Sequence, residues 1–206
     1  LFKHLFSAVA IILFMAQSAV AVDLAETIQG LEKKEGLASI YIDHKKAKVF
    51  LALESGEKPA DLGRYIYAAY LTAGLGSNPL GLDRSLPTGS RLLNFRRAGD
   101  RVMAVIENSA YRASADSQAE KNAVKTSFAE SIIWSTKIVA EDAVSGVVLI
   151  DFSGFLTRDM VGVTARLKES GQGSFKRDAK RSYVDTAEAH SFPINLEFDA
   201  HITFAG

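Results

Sequence analysis

The feature that most constrains the fold of this chain is a pair of β-type runs joined by a short polar link, which occurs twice. The first pair, 37–43 and 48–54, is joined by the polar residues 44–47. The second pair, 90–97 and 101–107, turns at 98–100. Runs rich in β-branched and aromatic residues with so few polar residues between them are typical of antiparallel hairpins. The chain has no regular alternation of strands and helices, so a parallel sheet is not expected.

Helices are predicted at three places. The main helix is expected over 117–131, because Ser117 is followed by Glu120 in a capping-box pattern and apolar residues then recur at helical spacing. Short helices are expected over 22–35, which is amphipathic, and around 155–160. The remaining segments predict strands over 64–72, 132–139, 147–152, 182–187 and 195–204, and a polar loop over 168–181. The predicted fold class is therefore α+β, mostly antiparallel hairpins and sheet, with one main helix and short flanking helices.

The N-terminus resembles an export signal. Lys3 and His4 precede an apolar run over 5–15, and 19–21 reads Ala-Val-Ala, with small residues where a signal peptidase reads them. The apolar run is short for a bilayer span. We therefore predict a signal peptide over 1–21, cleaved after Ala21, and a secreted or periplasmic protein without stable membrane insertion. A short helix over 22–35 and one domain over 36–206 would follow, truncated at Gly206 because a strand-like run stops there.

The composition limits the possible chemistry. Lys plus Arg number 24 and Asp plus Glu number 24, so a net charge of zero gives no reason to expect nucleic-acid binding. The chain has no cysteine, which excludes disulfides and thiolate zinc sites. Neither His-Glu-x-x-His nor Gly-x-Ser-x-Gly occurs. We assign no catalytic, cofactor-binding or metal residue, and His44, in a predicted turn, is interpreted as solvated.

The irregular segment 74–89 is the candidate interaction loop, because its glycine and proline density cannot continue a strand or a helix. Two interpretations stay open for it: a nest of backbone N–H groups that binds an anion, or a structural loop whose charged side chains pair elsewhere in the fold. A small enzyme would instead need the candidate polar residues to meet in one cleft. The full candidate set is Gly74, Gly76, Asn78, Gly81, Asp83, Arg84, Arg112, Asp151 and Asp159.

The order of several short motifs carries a family resemblance over nearly all of 30–206. The chain resembles the N-terminal domain of unknown function that precedes the catalytic domain in a family of bacterial zinc-dependent metalloproteases of the met-zincin type. Ser85 departs from that family, which tends to have glycine after Leu-Asp-Arg. The matching segments are 36–37, 72–78, 81–84, 95–96, 99–102, 111–113, 127–129, 181–182, 192–197 and 203–204, with single matches at Tyr41, Asn108, Val124, Ser131, Asp151, Phe155 and Asp159.

The resemblance implies a non-catalytic accessory domain of an exported zinc peptidase. The zinc and its His-Glu-x-x-His would lie in a downstream catalytic domain, which would be the partner of this chain, and peptide substrate is a further expected partner. The alternative is a free-standing exported module that binds peptide or glycan through the glycine loop and the tyrosines of 64–72.

Overall fold

The computed structural model describes residues 23–76, 80–111 and 117–206, and within this part the fold is dominated by antiparallel strands. Eight strands form one sheet in the order β1-β2-β3-β8-β7-β6-β5-β4, and two more form a separate antiparallel ribbon. The sheet contains β1 Glu32–Lys34, β2 Ile40–Asp43, β3 Lys48–Glu54, β4 Asp61–Tyr67, β5 Arg91–Ala98, β6 Arg101–Ile106, β7 Ser131–Asp142 and β8 Val147–Asp151, and the ribbon contains β9 Lys176–Ser191 and β10 Leu196–Ala205.

The expected α+β class is wrong, because the fold is mostly β, with 46% strand and 14% helix, and consists of a curled eight-stranded antiparallel sheet with small helices. The helices are α1 Leu24–Thr27, α2 Gln118–Ser127, α3 Ser153–Leu156 and α4 Val163–Glu169. The main predicted helix, 117–131, is confined to α2, which buries none of its described side chains. Its N-cap residue, Ser117, makes no side-chain capping hydrogen bond, so the capping box does not form.

The helix expected over 22–35 is also shorter than predicted. Only α1 is helical, and Glu32–Lys34 pairs with β2 as the edge strand of the sheet. The apolar face was correctly identified, since Leu24, Ile28 and Leu31 pack together against buried residues on the outer face of the sheet. Burial of this face against the sheet, rather than helical continuity, is therefore what holds the segment in place.

Both predicted hairpins are confirmed. β2 pairs with β3 across the turn at 44–47, and β5 pairs with β6 across the turn at 99–100. Gly99 adopts a φ of 63°, which a glycine accommodates without steric cost. Within the described chain all the pairings between the named strands are antiparallel.

The eight-stranded sheet is strongly curled. The linker 55–60 begins beside β8, where the Ser55 amide donates to the Gly146 carbonyl at 3.3 Å, and ends beside β5, where the Arg97 amide donates to the Ala60 carbonyl at 2.8 Å. In a flat sheet β3 and β5 would lie about 19 Å apart, at a strand spacing of about 4.8 Å. The linker is not extended, because the Gly56 amide donates to the Asp61 carbonyl at 2.7 Å. It therefore reaches across because the sheet bends, and register shifts in the β4–β5, β6–β7 and β7–β8 pairings help the bend.

The main core fills the inside of the curl. Strand residues that point inward meet α3 and the inner side of the β9–β10 ribbon, which contributes Val184 and Ala189 to the buried cluster. Phe198 of β10 packs its ring edge-on against Phe152, with centroids 5.7 Å apart. The ribbon is fixed to the sheet edge by hydrogen bonds from the Leu37 amide to the Phe192 carbonyl at 2.7 Å and from Lys34 Nζ to the Ala189 carbonyl at 2.9 Å.

The polar segment 168–181, expected to be a loop, is only partly one. It contains the end of α4 and, from Lys176 onward, the first third of β9. This part of the ribbon is paired with β10 through Lys176, Arg177 and Asp178 and is largely exposed. A strand with solvent on both faces carries no hydrophobic alternation, which is why the sequence pattern did not reveal it.

Candidate functional site

The glycine-rich segment folds back on itself as a structural loop. The Leu75 amide donates to the Leu82 carbonyl at 2.8 Å and the Ser85 amide donates to the Leu71 carbonyl at 2.7 Å. Leu82 is buried and packs against Val163 and Leu167 of α4 in a small second core. The described part of the loop is therefore held in place by apolar packing against α4, and both interpretations of the loop stay predictions.

Two glycines of this loop have identifiable structural reasons. A Cβ on Gly74 would lie 2.4 Å from the backbone nitrogen of Arg84, so the two backbone stretches can approach only because Gly74 has no side chain. Gly81 adopts a φ of 58°, which a glycine accommodates without steric cost, and its carbonyl accepts a hydrogen bond from Arg166 Nη1 at 3.4 Å, which ties the loop to α4. Gly76 has a φ of 65° and open space around it.

The charged residues of the loop lie at the surface. Asp83 and Arg84 are exposed, and within the described chain neither forms an ion pair. The expectation that they pair with charges elsewhere in the fold stays a prediction. Asn78 and Arg112 lie outside the described residues.

The two candidate aspartates make their contacts at separate places in the fold. Asp151 ends β8, and its Oδ2 lies 2.6 Å from Lys48 Nζ, while its Oδ1 accepts from the Ser153 amide at 3.1 Å. Asp159 caps α4: its carboxylate accepts from the Val163 amide at 2.7 Å and from the Thr164 amide at 2.9 Å. The fold thus brings the glycine loop and Asp159 to α4, and it places Asp151 in a different set of contacts, on β3 and α3.

A charged cleft that the sequence analysis did not identify lies between α2 and the outer face of β5 and β6. Its volume is about 370 Å³. Arg96 and Glu130 both line it and form an ion pair, in which Arg96 Nη2 donates to Glu130 Oε1 at 2.8 Å. Glu107, also in the lining, accepts a hydrogen bond from Arg64 Nη2 at 2.6 Å. The lining residues are Arg96, Glu107, Asn108, Lys121, Val124, Phe128 and Glu130.

Glu107, which lines the charged cleft, contacts a buried polar side chain that is incompletely satisfied. Asn94 is 7% exposed, and its Nδ2 donates to Glu107 Oε1 at 3.3 Å, while its Oδ1 has no hydrogen-bond partner within the described chain. The two carboxylates each raise the pKa of the arginine they bind, Glu107 that of Arg64 and Glu130 that of Arg96. The available sequence signal was the alternation of Asn94 and Arg96 with inward-facing apolar residues along β5.

His44 is not simply solvated, contrary to the expectation for a turn. Its Nε2 lies 2.6 Å from Glu32 Oε2 and its Nδ1 lies 3.0 Å from Thr186 Oγ1. The imidazole thus links the edge strand β1 to the β9–β10 ribbon. Its hydrogen bond is the main cause of the lowered pKa of Glu32, with a smaller contribution from Lys34.

The tyrosine-bearing strand does not present a row of rings to solvent. Tyr65 packs edge-on against Phe95, with centroids 5.9 Å apart, and Tyr67 packs edge-on against Phe155 at 5.6 Å. Tyr70, which follows β4, is 65% exposed. Two of the three tyrosines named for the binding-module alternative therefore belong mainly to the core.

No three His, Cys, Asp or Glu side chains within 23–76, 80–111 and 117–206 come together as a set that could hold a metal ion. None of the helices in this part of the chain has the length and apolarity to cross a membrane.

Comparison with known proteins identifies the family. A family model described as a domain of unknown function, DUF5117, matches residues 87–206, which is more than half of the 206-residue chain. The chain therefore belongs to this family. No curated protein and no solved structure matches it. The family match confirms that part of the chain is a domain of unknown function, and it carries no link to a metallopeptidase.

Proposed function

We propose that this chain is a non-catalytic N-terminal accessory domain of an exported bacterial zinc-dependent metallopeptidase. The main support is the use of the two candidate acids: Asp151 neutralises Lys48 and Asp159 caps α4, so both carboxylates already have structural partners. The resemblance over 30–206 supplies the link to peptidases. In this proposal zinc belongs to the downstream catalytic domain, which is the partner of this chain, and a signal peptide over 1–21 delivers the protein to the periplasm or the medium.

The first experiment asks where proteolysis resides. The reading frame should continue beyond Gly206 and encode His-Glu-x-x-His. The full product should hydrolyse a fluorescent casein, lose that activity in a chelator and regain it with Zn²⁺. Residues 22–206 alone should be inactive under the same conditions. The matched control is the full product with the motif glutamate changed to glutamine, which keeps the fold and loses the general base.

The second experiment asks whether the two parts associate. Residues 22–206 and the separately expressed catalytic domain should form a complex at micromolar concentration in isothermal titration calorimetry. A stop codon after Gly206, zinc-dependent proteolysis by residues 22–206, or a functional catalytic domain that neither binds them nor changes its kinetics in their presence would each contradict the proposal.

A second candidate, a peptide- or glycan-binding module, is favoured by one observation, the charged cleft. It combines charged side chains with the apolar Val124 and Phe128, and Tyr111 stacks on Phe128 with centroids 3.8 Å apart. Mixed polar and aromatic linings of this kind suit small organic ligands. Binding of an oligosaccharide or peptide that Phe128→Ala abolishes and Phe192→Ala leaves intact would favour this candidate. A screen of glycans and peptides without a hit sensitive to Phe128 would exclude it.

A further inference from the structure

Charge is divided between the two halves of the β9–β10 ribbon. Residues 174–183, at the end away from the turn at 192–195, contain four Lys or Arg and one Asp. Residues 184–200 contain four Asp or Glu and no Lys or Arg. Within the described chain only one of the four cations, Arg181, has an ion pair, with Asp178 at 2.9 Å. The ribbon therefore has a basic half, 174–183 with 201–205, and an acidic half, 184–200.

One face of the ribbon is turned to solvent. Phe198 packs in the main core and Phe204 in the second core, so the even-numbered residues of β10 face the protein and the odd-numbered ones face outward. Their partners in the β9 register share the outward face. The outer face of the ribbon thus consists of Glu197, Asp199, His201, Thr203 and Ala205 from β10 and of His190, Asp185, Tyr183, Asp178 and Lys176 from β9.

The acidic half places two carboxylates directly opposite each other. Asp185 faces Asp199 in the register, and like charges in this position destabilise a strand pair. His201 Nε2 lies 3.8 Å from Asp185 Oδ2, while Asp199 is exposed and its carboxylate has no hydrogen bond or ion pair within the described chain. Lys176 lies on the same face but at the level of Ala205, about 20 Å along the strand. The acidic half therefore lacks a lysine or an arginine from its own ribbon.

An exposed aromatic pair separates the two charged halves. The rings of Tyr183 and His201 stack with centroids 4.8 Å apart, and Tyr183 is 50% exposed. Aromatic side chains surrounded by charged ones are the usual composition of the centre and the rim of a protein interface. The outer face thus has an aromatic centre with positive charge on one side and negative charge on the other.

We propose that the outer face of the ribbon binds the same face of a second copy of this chain. A two-fold axis near Tyr183 and His201 brings identical surfaces together, so the basic half of each copy lies on the acidic half of the other. Lys176 and Lys180 of one copy then supply the cations that Asp185 and Asp199 of the other copy lack.

A second copy fits this face better than an acidic partner. An acidic partner would engage the basic half alone and would leave Asp185 and Asp199 facing each other. A second copy neutralises both halves at once, because the two charge patterns are complementary after a two-fold rotation. This inference does not depend on the peptidase-domain proposal.

The test is the oligomeric state of residues 22–206, which include every residue that the structure describes. Sedimentation equilibrium over about 1–500 μM protein should show a monomer–dimer equilibrium with a Kd between about 1 and 100 μM, as expected for a small, polar interface. The Kd should rise between about 50 mM and about 500 mM sodium chloride, because salt screens exposed charges.

A charge exchange assigns the dimer to the ribbon. Lys176→Glu with Lys180→Glu makes both halves acidic, and Glu197→Lys with Asp199→Lys makes both halves basic. Each double variant alone should raise the Kd at least about tenfold, because like charges then face each other. An equimolar mixture of the two should form a heterodimer with a Kd close to that of the wild type.

The matched control reverses two exposed lysines away from the ribbon, Lys58→Glu with Lys137→Glu. It changes the net charge as much as the first double variant does, and it should leave the Kd within twofold of wild type. If circular dichroism shows that a double variant does not fold, Lys180→Glu and Asp199→Lys alone take their place.

Three results would overturn the proposal. One is a wild-type protein that stays monomeric over the whole concentration range at low salt. Another is a dimer whose Kd the ribbon variants change no more than the control does. The third is a mixture of the two oppositely charged variants that does not associate.

Discussion

The ring of Phe152 stacks on the ring of Phe155, with centroids 4.6 Å apart and planes 13° from parallel. This pair links β8 to α3 and lies inside the curled sheet, where Trp134, Phe95 and Phe198 meet its edges. An aromatic cluster of this size supplies a large part of the apolar area that the fold buries. It therefore gives the most direct test of the core.

Truncating Phe155 should destabilise the protein strongly. Phe155 is 1% exposed, so Phe155→Ala leaves a cavity and should lower the free energy of unfolding by about 3–5 kcal/mol. Urea denaturation followed by Trp134 fluorescence measures this. Phe192→Ala, at a residue 41% exposed on the ribbon, is the control and should cost below about 1 kcal/mol. Equal effects of the two substitutions would contradict the assignment of the core.

Gly74→Ala should be costly for a reason that does not involve the core. Its Cβ would lie 2.4 Å from the backbone nitrogen of Arg84, and backbone cannot rotate away as a side chain can. We expect a loss of about 2–3 kcal/mol from overpacking. Gly154→Ala is the matched control, because its Cβ would meet Trp134 at an ordinary 3.5 Å. A Gly74→Ala protein as stable as the control would refute the close approach of the two backbone stretches.

Ser85→Gly should stabilise the protein. Ser85 has a φ of 67°, a left-handed conformation that a residue with a Cβ adopts at a cost. The resembled family tends to have glycine here, and the substitution should raise the free energy of unfolding by up to about 1 kcal/mol after the entropy of the unfolded chain is counted. Ser90→Gly, at an exposed position without positive φ, should destabilise slightly. In thermal melts the melting temperature should rise for Ser85→Gly and fall slightly for Ser90→Gly.

Asp159→Ala should destabilise α4 and the glycine loop that packs on it. The carboxylate accepts hydrogen bonds from the Val163 and Thr164 amides, and losing such a cap costs about 1–2 kcal/mol. Asp83→Ala is the matched control in the loop itself, because the Asp83 carboxylate has no ion pair within the described chain. Urea midpoints should fall for the first variant and stay within error for the second.

Acid should weaken the link between β1 and the ribbon through Glu32. The hydrogen bond from His44 lowers the pKa of Glu32 below its ordinary value of 4.5. A carboxyl with a lowered pKa in the folded state contributes stability that is present above the unfolded pKa and is lost as the pH falls through the folded pKa. Between pH 6 and 3 the urea midpoint of Glu32→Gln should therefore decline less steeply than that of wild type.

The control for the acid experiment is Glu57→Gln, at an exposed glutamate of the β3–β4 linker. It changes the same charge at a position where the described structure shows no hydrogen bond or ion pair. Its pH profile should parallel that of wild type. Parallel profiles for all three proteins would show that His44 and Glu32 do not interact in solution.

The hairpins could be predicted because their strands are runs of β-type residues joined by short polar turns. β3 follows its expected bounds, Lys48–Glu54, although it is buried on both faces and its sequence does not alternate. The prediction of a helix over 22–35 was wrong because Leu24, Ile28 and Leu31 have helical spacing, although a four-residue helix followed by a turn satisfies the same contacts. Local pattern reports which side chains are buried more reliably than it reports the backbone between them.

The candidate site was harder to predict because its members come from distant parts of the chain. Asp159 is used within a few residues of its own position, whereas Asp151 also pairs with Lys48, which is distant in the chain. The charged cleft depends on Arg96 of β5 meeting Glu130, just before β7. Such contacts between distant residues leave no local signature.

The strand order also indicates where the folded domain of this family begins. The family model begins at residue 87. β8, near the middle of the matched region, pairs on one side with β3, which lies before residue 87. A polypeptide that starts at residue 87 would retain β5 to β10. One edge of β8 would then be unpaired, and the core would lack the side chains of Val49, Leu51 and Leu53. The cooperative module therefore begins at or before Leu24, and relatives of this chain should carry equivalents of its first four strands even where pairwise similarity has faded.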